Sequence, residues 1–222
     1  MIRKTLIAPM LLGLALAAPA AQAGDFINLG NAFVPAHAGM FEVRLRAVGV
    51  LTQDNGSSVS AIGGKVETTN QVIPELDFSY FIVDNLAVEL IAGASRHNIA
   101  ASGTALGHVD VGSTWVLPPT LTLQYHFAPH SRIDPYVGAG MTAAFFFATK
   151  AAGGAVTSVG LKNTLSPAFQ LGADIALGGH WVANVDVKQT LIQTTAKIDG
   201  GALHAHTHLD PTLVGVGIGY RF

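Results

Sequence analysis

Three groups of residues carry chemistry in this sequence. His204, His206 and His208 sit at alternate positions, so an extended chain puts three imidazoles on one face. Imidazoles so placed suit zinc, copper or nickel. No carboxylate or cysteine stands at a matching local spacing, and His97 and His108 join only where loops meet. Histidine in a loop needs no metal, so we expect no cofactor. The second group, His126 with Ser79 or Asp77, raises hydrolysis. It lacks a nucleophile elbow and a base with an orienting acid, so we expect no enzyme. The third is a scatter of charges that alternate with apolar residues: Glu42, Arg44, Arg46, Asp77, Glu89, Asp174, Asp186, Lys188 and Arg221. Their spacing concerns what positions them.

Alternation of that kind belongs to strands, whose successive side chains point to opposite faces. Residues 120–127 are the plainest case. Leu121, Leu123, Tyr125 and Phe127 share one face; Thr120, Thr122, Gln124 and His126 share the other. Phe41, Val43, Leu45 and Ala47 oppose Glu42, Arg44 and Arg46 in the same way. The pattern predicts eight strands in four hairpins. The second ends with Glu75 to Tyr80, the third runs from Leu86 to about His97, and the fifth from Tyr136 to about Phe147. The sixth is centred on Phe169 to Ile175, the seventh starts at Trp181, and the eighth runs from Leu213 to Phe222. Long connections are expected at 53–60, from Asn98 to about Ser113, from Lys150 to Asn163, and up to about Leu209. Tight turns fall at Val83-Asp84-Asn85, 128–135 and Gly178-Gly179-His180.

Only 12% of the residues are charged, about half the share of an average soluble domain. Beyond the N-terminus no apolar run is long enough for a membrane helix. Arg3 and Lys4, the apolar stretch Leu6 to Ala18 and Ala21-Gln22-Ala23 form a secretory signal peptide over 1–23; the alternative is an uncleaved anchor. The mature domain is then 24–222, with a lead-in before Phe41. Loss of Arg3 and Lys4 takes the formal charge from −2 to −4, so no nucleic-acid partner is expected. The chain has no cysteine, so no disulfide framework supports it.

Apolar strands with charges on one parity, joined by alternating short and long connections, fit an all-β, eight-stranded antiparallel transmembrane barrel. Its short turns are periplasmic and its longer loops extracellular. A soluble lipocalin-like barrel is the alternative, and the absence of outward charges weighs against it.

Several stretches resemble the OmpW family of small outer-membrane barrels, which includes the AlkL-type alkane-uptake proteins. They are Pro74-Glu75-Leu76, Asn85-Leu86-Ala87-Val88-Glu89-Leu90, Leu117-Pro118-Pro119-Thr120-Leu121, Gln124-Tyr125-His126-Phe127, Pro135-Tyr136-Val137-Gly138-Ala139-Gly140 and the final Gly-Tyr-Arg-Phe. The resemblance spans nearly all of the mature chain. It implies a barrel in the bacterial outer membrane that admits small hydrophobic molecules, and it brings no catalytic residues.

Counting inward positions up from the periplasmic turns divides the lumen. Low positions are Glu42, Arg44, Arg46, Asp77, Glu89, His126, Asp174, Asp186, Lys188 and Arg221; high ones are Val48, Val50, Ile73, Val116, Phe146, Ile192 and Leu213. The first set predicts a closed polar floor, because charges packed in so narrow an interior must pair. The second predicts an apolar cup, roofed by Leu106 and Trp115, that either binds a small molecule or merely plugs the barrel. Phe146 and Ile73 are expected above Glu75 and Thr142. With the floor shut, a bound solute must leave sideways into the lipid, and Pro118, Pro119 and Pro211 mark where strand pairing can lapse. Tyr220 and the terminal Phe222 resemble the signal read by the outer-membrane assembly machinery; both also suit the lipid interface. Two function classes follow: passive uptake of small hydrophobic molecules, or a structural or surface-interaction barrel without transport.

Overall fold

The structure, a computed structural model, describes residues 32–51, 58–59, 65–68, 70–105, 107–153, 156–198, 203–208 and 210–222; for 58–59, 65–68, 193–198 and 203–208 it describes the backbone. The expected signal peptide and Leu106 lie outside the described residues.

The strands are β1 (Phe41–Leu51), β2 (Ser58–Val59), β3 (Lys65–Thr68), β4 (Gln71–Val83) and β5 (Leu86–Gly93). Then come β6 (Ser95–Thr104), β7 (Gly107–Leu117), β8 (Thr120–His126), β9 (Ile133–Ala151) and β10 (Val159–Leu161). The last five are β11 (Thr164–Gly178), β12 (Trp181–Thr190), β13 (Gln193–Ile198), β14 (Leu203–His208) and β15 (Thr212–Arg221). An antiparallel ring runs β11, β12, β15, β1, β4, β5, β8, β9 and back to β11. The expected eight-stranded barrel is therefore the observed one. Chain ends meet where β1 pairs with β15, from Glu42 opposite Arg221 to Leu51 opposite Thr212.

The wall is inside out relative to a soluble protein. Leu45, Leu123, Leu171 and Val216 are about half exposed on the outer face, while Arg44, Asp77, Glu89 and Asp186 are buried in the lumen. An apolar belt this continuous suits lipid, which demands that every backbone polar group be paired within the protein. Aromatic rings gather at the lower rim. Tyr220 packs against Trp181 and Phe222 with ring centroids 5.0 Å apart in each pair, and the Phe222 N–H donates to the Phe41 carbonyl. Gly217 stands opposite Arg46 because any Cβ there would run into the Leu45 carbonyl and the Arg46 side chain.

All four expected long connections hold strand, the one at 53–60 through the short β2. Asn98 to Ser113 is mostly hairpin, with β6 paired to β7 from Ser95 opposite Val116 outward. Its small residues (Ala100, Ala101, Ser102, Gly103) hide the alternation. The stretch between Lys150 and Asn163 holds β10, and the one before Leu209 holds β13 and β14; these join β2 in a second, four-stranded sheet. These additions lengthen the end of the barrel opposite the tight turns.

The lead-in, which has no periodicity to read, crosses the lower mouth. Val34 donates its N–H to the Gly179 carbonyl at 2.8 Å, Ala36 to Pro129 at 3.0 Å and Gly39 to Phe81 at 2.8 Å. Ala36 and Met40 pack there against Phe81 and Ala87. The Ala38 N–H also donates to Asp84 Oδ1 at 2.8 Å, and that bond, with lesser help from His130, holds the Asp84 carboxyl below its ordinary value. A depressed folded pKa means that this anchor is complete above the unfolded value, about 3.9 for aspartate, and is lost as pH falls through the folded value. We expect amide exchange at Ala38 to stay slow from neutral pH down to about pH 4 and to quicken below that. The Asp84→Asn protein should show fast exchange without that acid step; equal protection in both proteins would remove Asp84 as the anchor.

Candidate functional site: a charged floor beneath an apolar cup

The lumen is built by one parity of each strand. Arg44 and Arg46 come from β1, Glu75, Asp77 and Ser79 from β4, Glu89 from β5, Asp174 from β11, and Asn184, Asp186 and Lys188 from β12. Every guanidinium nitrogen of Arg44 is engaged. Its Nε donates to Asp77 Oδ1 at 2.7 Å, its Nη1 to both Asp174 oxygens at 3.1 and 3.2 Å, and its Nη2 to Ser79 Oγ and Glu89 Oε1 at 2.8 Å each. Arg46 Nη2 donates to Glu75 Oε1 at 2.6 Å, while its Nε faces Asp77 Oδ2 at 2.9 Å and its Nη1 lies 3.5 Å from Asp186 Oδ1. Arg221 Nε donates to Glu42 Oε2 at 2.7 Å, and its Nη1 reaches the Val34 carbonyl at 3.0 Å, tying the floor to the lead-in.

His126 sits lower, with Nδ1 2.8 Å from Asp134 Oδ2, between the rings of Phe81 and Tyr136. Ser79 is taken by Arg44, so the residues weighed for hydrolysis are not partners of one another. Tyr136, Asp134 and Gln170 also join the network. Tyr136 donates to Asp186 Oδ2 at 3.0 Å, and Gln170 donates to Glu89 Oε2 at 2.9 Å. Tyr136 lies inward by the parity of Gly138, Gly140 and Thr142, a signal present in the sequence but overshadowed by those smaller residues. Phe81 was not foreseen, because its partner is the aperiodic lead-in.

Above the floor the same parity turns apolar. Val50, Ile73, Val116, Phe146, Ile192 and Leu213 line one cavity, together with Glu75, Thr120 and Thr142 at its base. Val48 packs just below, against Val50 and Ile73. The cavity has a volume of about 80 Å³, several times the roughly 10–15 Å³ that one water needs. Trp115 is a correction. It lies on the outer face, 40% exposed beside Phe147, because its neighbour Val116 takes the inward position and strand side chains alternate. His204, His206 and His208 belong to β14, and their side chains fall outside those described.

The wall beside the cavity has a break in its ladder. β5 pairs with β8 up to Ile91 opposite Thr120, and β6 pairs with β7 from Ser95 opposite Val116. Both pairings keep one register, so residues 92–94 face residues 117–119 with no pairing between them. Pro118 and Pro119 have no N–H to offer. Gly93 and Pro118 on the two sides of the break both line the cavity. Pro211 is different: its carbonyl accepts the Thr190 N–H at 3.2 Å, so the wall there is bridged.

A barrel with this inside-out wall, paired floor and broken ladder matches one family model, that of the OmpW family, over residues 37–222. The chain belongs to the OmpW family. It is 35% identical over 215 residues to Outer membrane protein W of Escherichia coli, covering 91% of this chain and 97% of that one. Outer membrane protein AlkL of Ectopseudomonas oleovorans is 32% identical over 165 residues, covering 71% and 69%. Among solved structures, the outer membrane protein OprG of Pseudomonas aeruginosa superposes with a TM-score of 0.77 at 28% identity, covering 85% of this chain and 98% of that one. Like these OmpW-family relatives, the protein is an outer-membrane barrel.

Arg44 is the floor's most connected group. Replacing it with Met takes from Asp77, Asp174 and Glu89 the guanidinium they share, and breaking a buried ion network in this way costs about 3–5 kcal/mol. We expect Arg44→Met to lower the urea midpoint of the barrel refolded in lipid vesicles, with Arg44→Lys, which keeps the charge but loses the fork, falling between. Unaltered midpoints for both would mean that the network does not hold the barrel together.

Proposed function

We propose that the protein is a passive outer-membrane channel for small hydrophobic molecules, which enter the apolar cup from outside and leave sideways into the membrane. The observation that carries this reading is the break over 92–94 and 117–119, which lies against the cup and above the closed floor. A solute of low polarity gains by transfer into the cup at roughly 25 cal/mol per Å² of apolar surface. Going straight down means displacing the Arg44 and Arg46 ion pairs, which offer such a solute nothing in return. Going sideways means passing between strands already unpaired, into lipid of the same polarity as the cup.

The resemblance to AlkL-type alkane-uptake proteins supports the same solute class. A plugged, purely structural barrel has no use for a cavity walled on one side by an unpaired stretch.

Cup and floor variants separate sideways from straight passage. Changing both Ile73 and Phe146 to Asp puts carboxylates where the solute rests, and we expect uptake of a radiolabelled small hydrocarbon to fall by about tenfold or more at matched folded barrel, given the cost of apolar contact with ions. Neutralising Arg46 and Asp186 together should change uptake much less. A rise in uptake on neutralising the floor, with the cup variant unaffected, would mean a straight pore.

A further inference from the structure

The cup is not apolar throughout. Along β12, Lys188 and Thr190 share the inward face and both line the cavity. Lys188 Nζ pairs with Glu75 Oε1 and Asp186 Oδ1 at 4.0 Å each, ion pairs too long to be hydrogen bonds. Thr190 is 3% exposed and its hydroxyl has no partner. Other polar groups of the cup have partners within the protein. Ser95 Oγ meets His97 Nε2 at 2.9 Å, and Thr120 meets Thr142 at 2.8 Å. A buried donor left unmade is costly, so the Thr190 hydroxyl, beside an ammonium whose carboxylates stand 4.0 Å off, marks a place for an acceptor that the protein itself does not supply.

We propose that the cup selects small apolar molecules ending in a neutral carbonyl, whose oxygen accepts from Lys188 and Thr190. This rests on the uptake reading above and names its solute class. Charge decides between neutral and ionised heads. Seven buried carboxylates (Glu42, Glu75, Asp77, Glu89, Asp134, Asp174, Asp186) face four fixed cations (Arg44, Arg46, Lys188, Arg221) in the lumen. A further carboxylate would meet that excess, with Glu75 and Asp186 flanking the very ammonium meant to bind it. An amine would meet Lys188 head on. A ketone oxygen takes the free donors and brings no charge to bury.

The ring order fixes the orientation. From β12 the strands run β15, β1, β4, β5, so β12 stands across the barrel from the break between β5 and β8. A head held on β12 directs its tail at the break, so the molecule leaves for the lipid tail first.

The test uses the full barrel in lipid nanodiscs and methyl hexyl ketone labelled at its carbonyl carbon, with octane, octanoate and octylamine as competitors. We expect the carbonyl resonance to shift as it accepts hydrogen bonds, and the ketone to bind better than all three competitors. Thr190→Val removes a hydroxyl that holds no partner, so the barrel folds as before. That change should weaken the ketone relative to octane about threefold to tenfold, the worth of one hydrogen bond. Lys188→Met, checked for folding by heat-modified gel mobility, should do the same. Equal binding of ketone and octane, untouched by Thr190→Val, overturns the head-group proposal and leaves the cup standing. Tightest binding by octanoate overturns the neutral-head assignment. No binding of either ketone or octane overturns the proposal together with the uptake reading beneath it.

Discussion

Buried charge must be paired, and in an eight-stranded barrel there is nowhere else for it to go. The interior is only wide enough for side chains to fill it, and the outside is lipid. Arg44 answers this constraint by engaging Asp77, Asp174, Glu89 and Ser79 at once, from two neighbouring strands and one across the lumen. The fork of the guanidinium makes that possible, since a lysine ammonium lacks its planar, fixed donors. Arg46 and Arg221 extend the same solution upward to Glu75 and downward to Glu42 and the lead-in. On the proposed reading these contacts shut the floor, and passage runs above it.

The upper wall follows from that. With the charges collected low, the inward parity above Arg46 is free to be Val48, Val50, Ile73 and Leu213. There a gap in the ladder costs less than it would elsewhere, because its edges line a cavity and one freed carbonyl, that of Pro118, accepts the Thr120 hydroxyl at 3.2 Å. The Pro119 carbonyl is likewise taken, by the Ala143 N–H at 2.9 Å. The prolines thus open the β5–β8 side while the β9 side remains joined.

The fold was legible because parity survives in sequence. Leu121 to Phe127 and Leu45 beside Arg44 announce a two-faced wall, and the charges name its inner face. Placing Trp115 needs a register: β7 runs through it, and its neighbour Val116 fixes its side. The β6–β7 hairpin was missed because Ala100 to Gly103 offers no contrast between faces. Pro118 and Pro119 flagged a weak place in the wall. That pairing resumes beyond them in the same register, making a break rather than an end, depends on partners distant in the chain. The lead-in across the lower mouth was out of reach for a similar reason, since its contacts with Pro129, Phe81 and Gly179 follow no local pattern.

The central claim, sideways release through the break, is open to one direct measurement. Ala94 and Leu117 face each other across it in the register that Ile91–Thr120 and Ser95–Val116 define, and both are exposed on the outer face. The chain has no cysteine of its own, so Ala94→Cys with Leu117→Cys gives a single disulfide staple. Uptake of a radiolabelled hydrocarbon should fall to the level of cells without the barrel when the staple is oxidised, and recover on reduction. Full uptake through the oxidised, folded barrel would contradict release through this break.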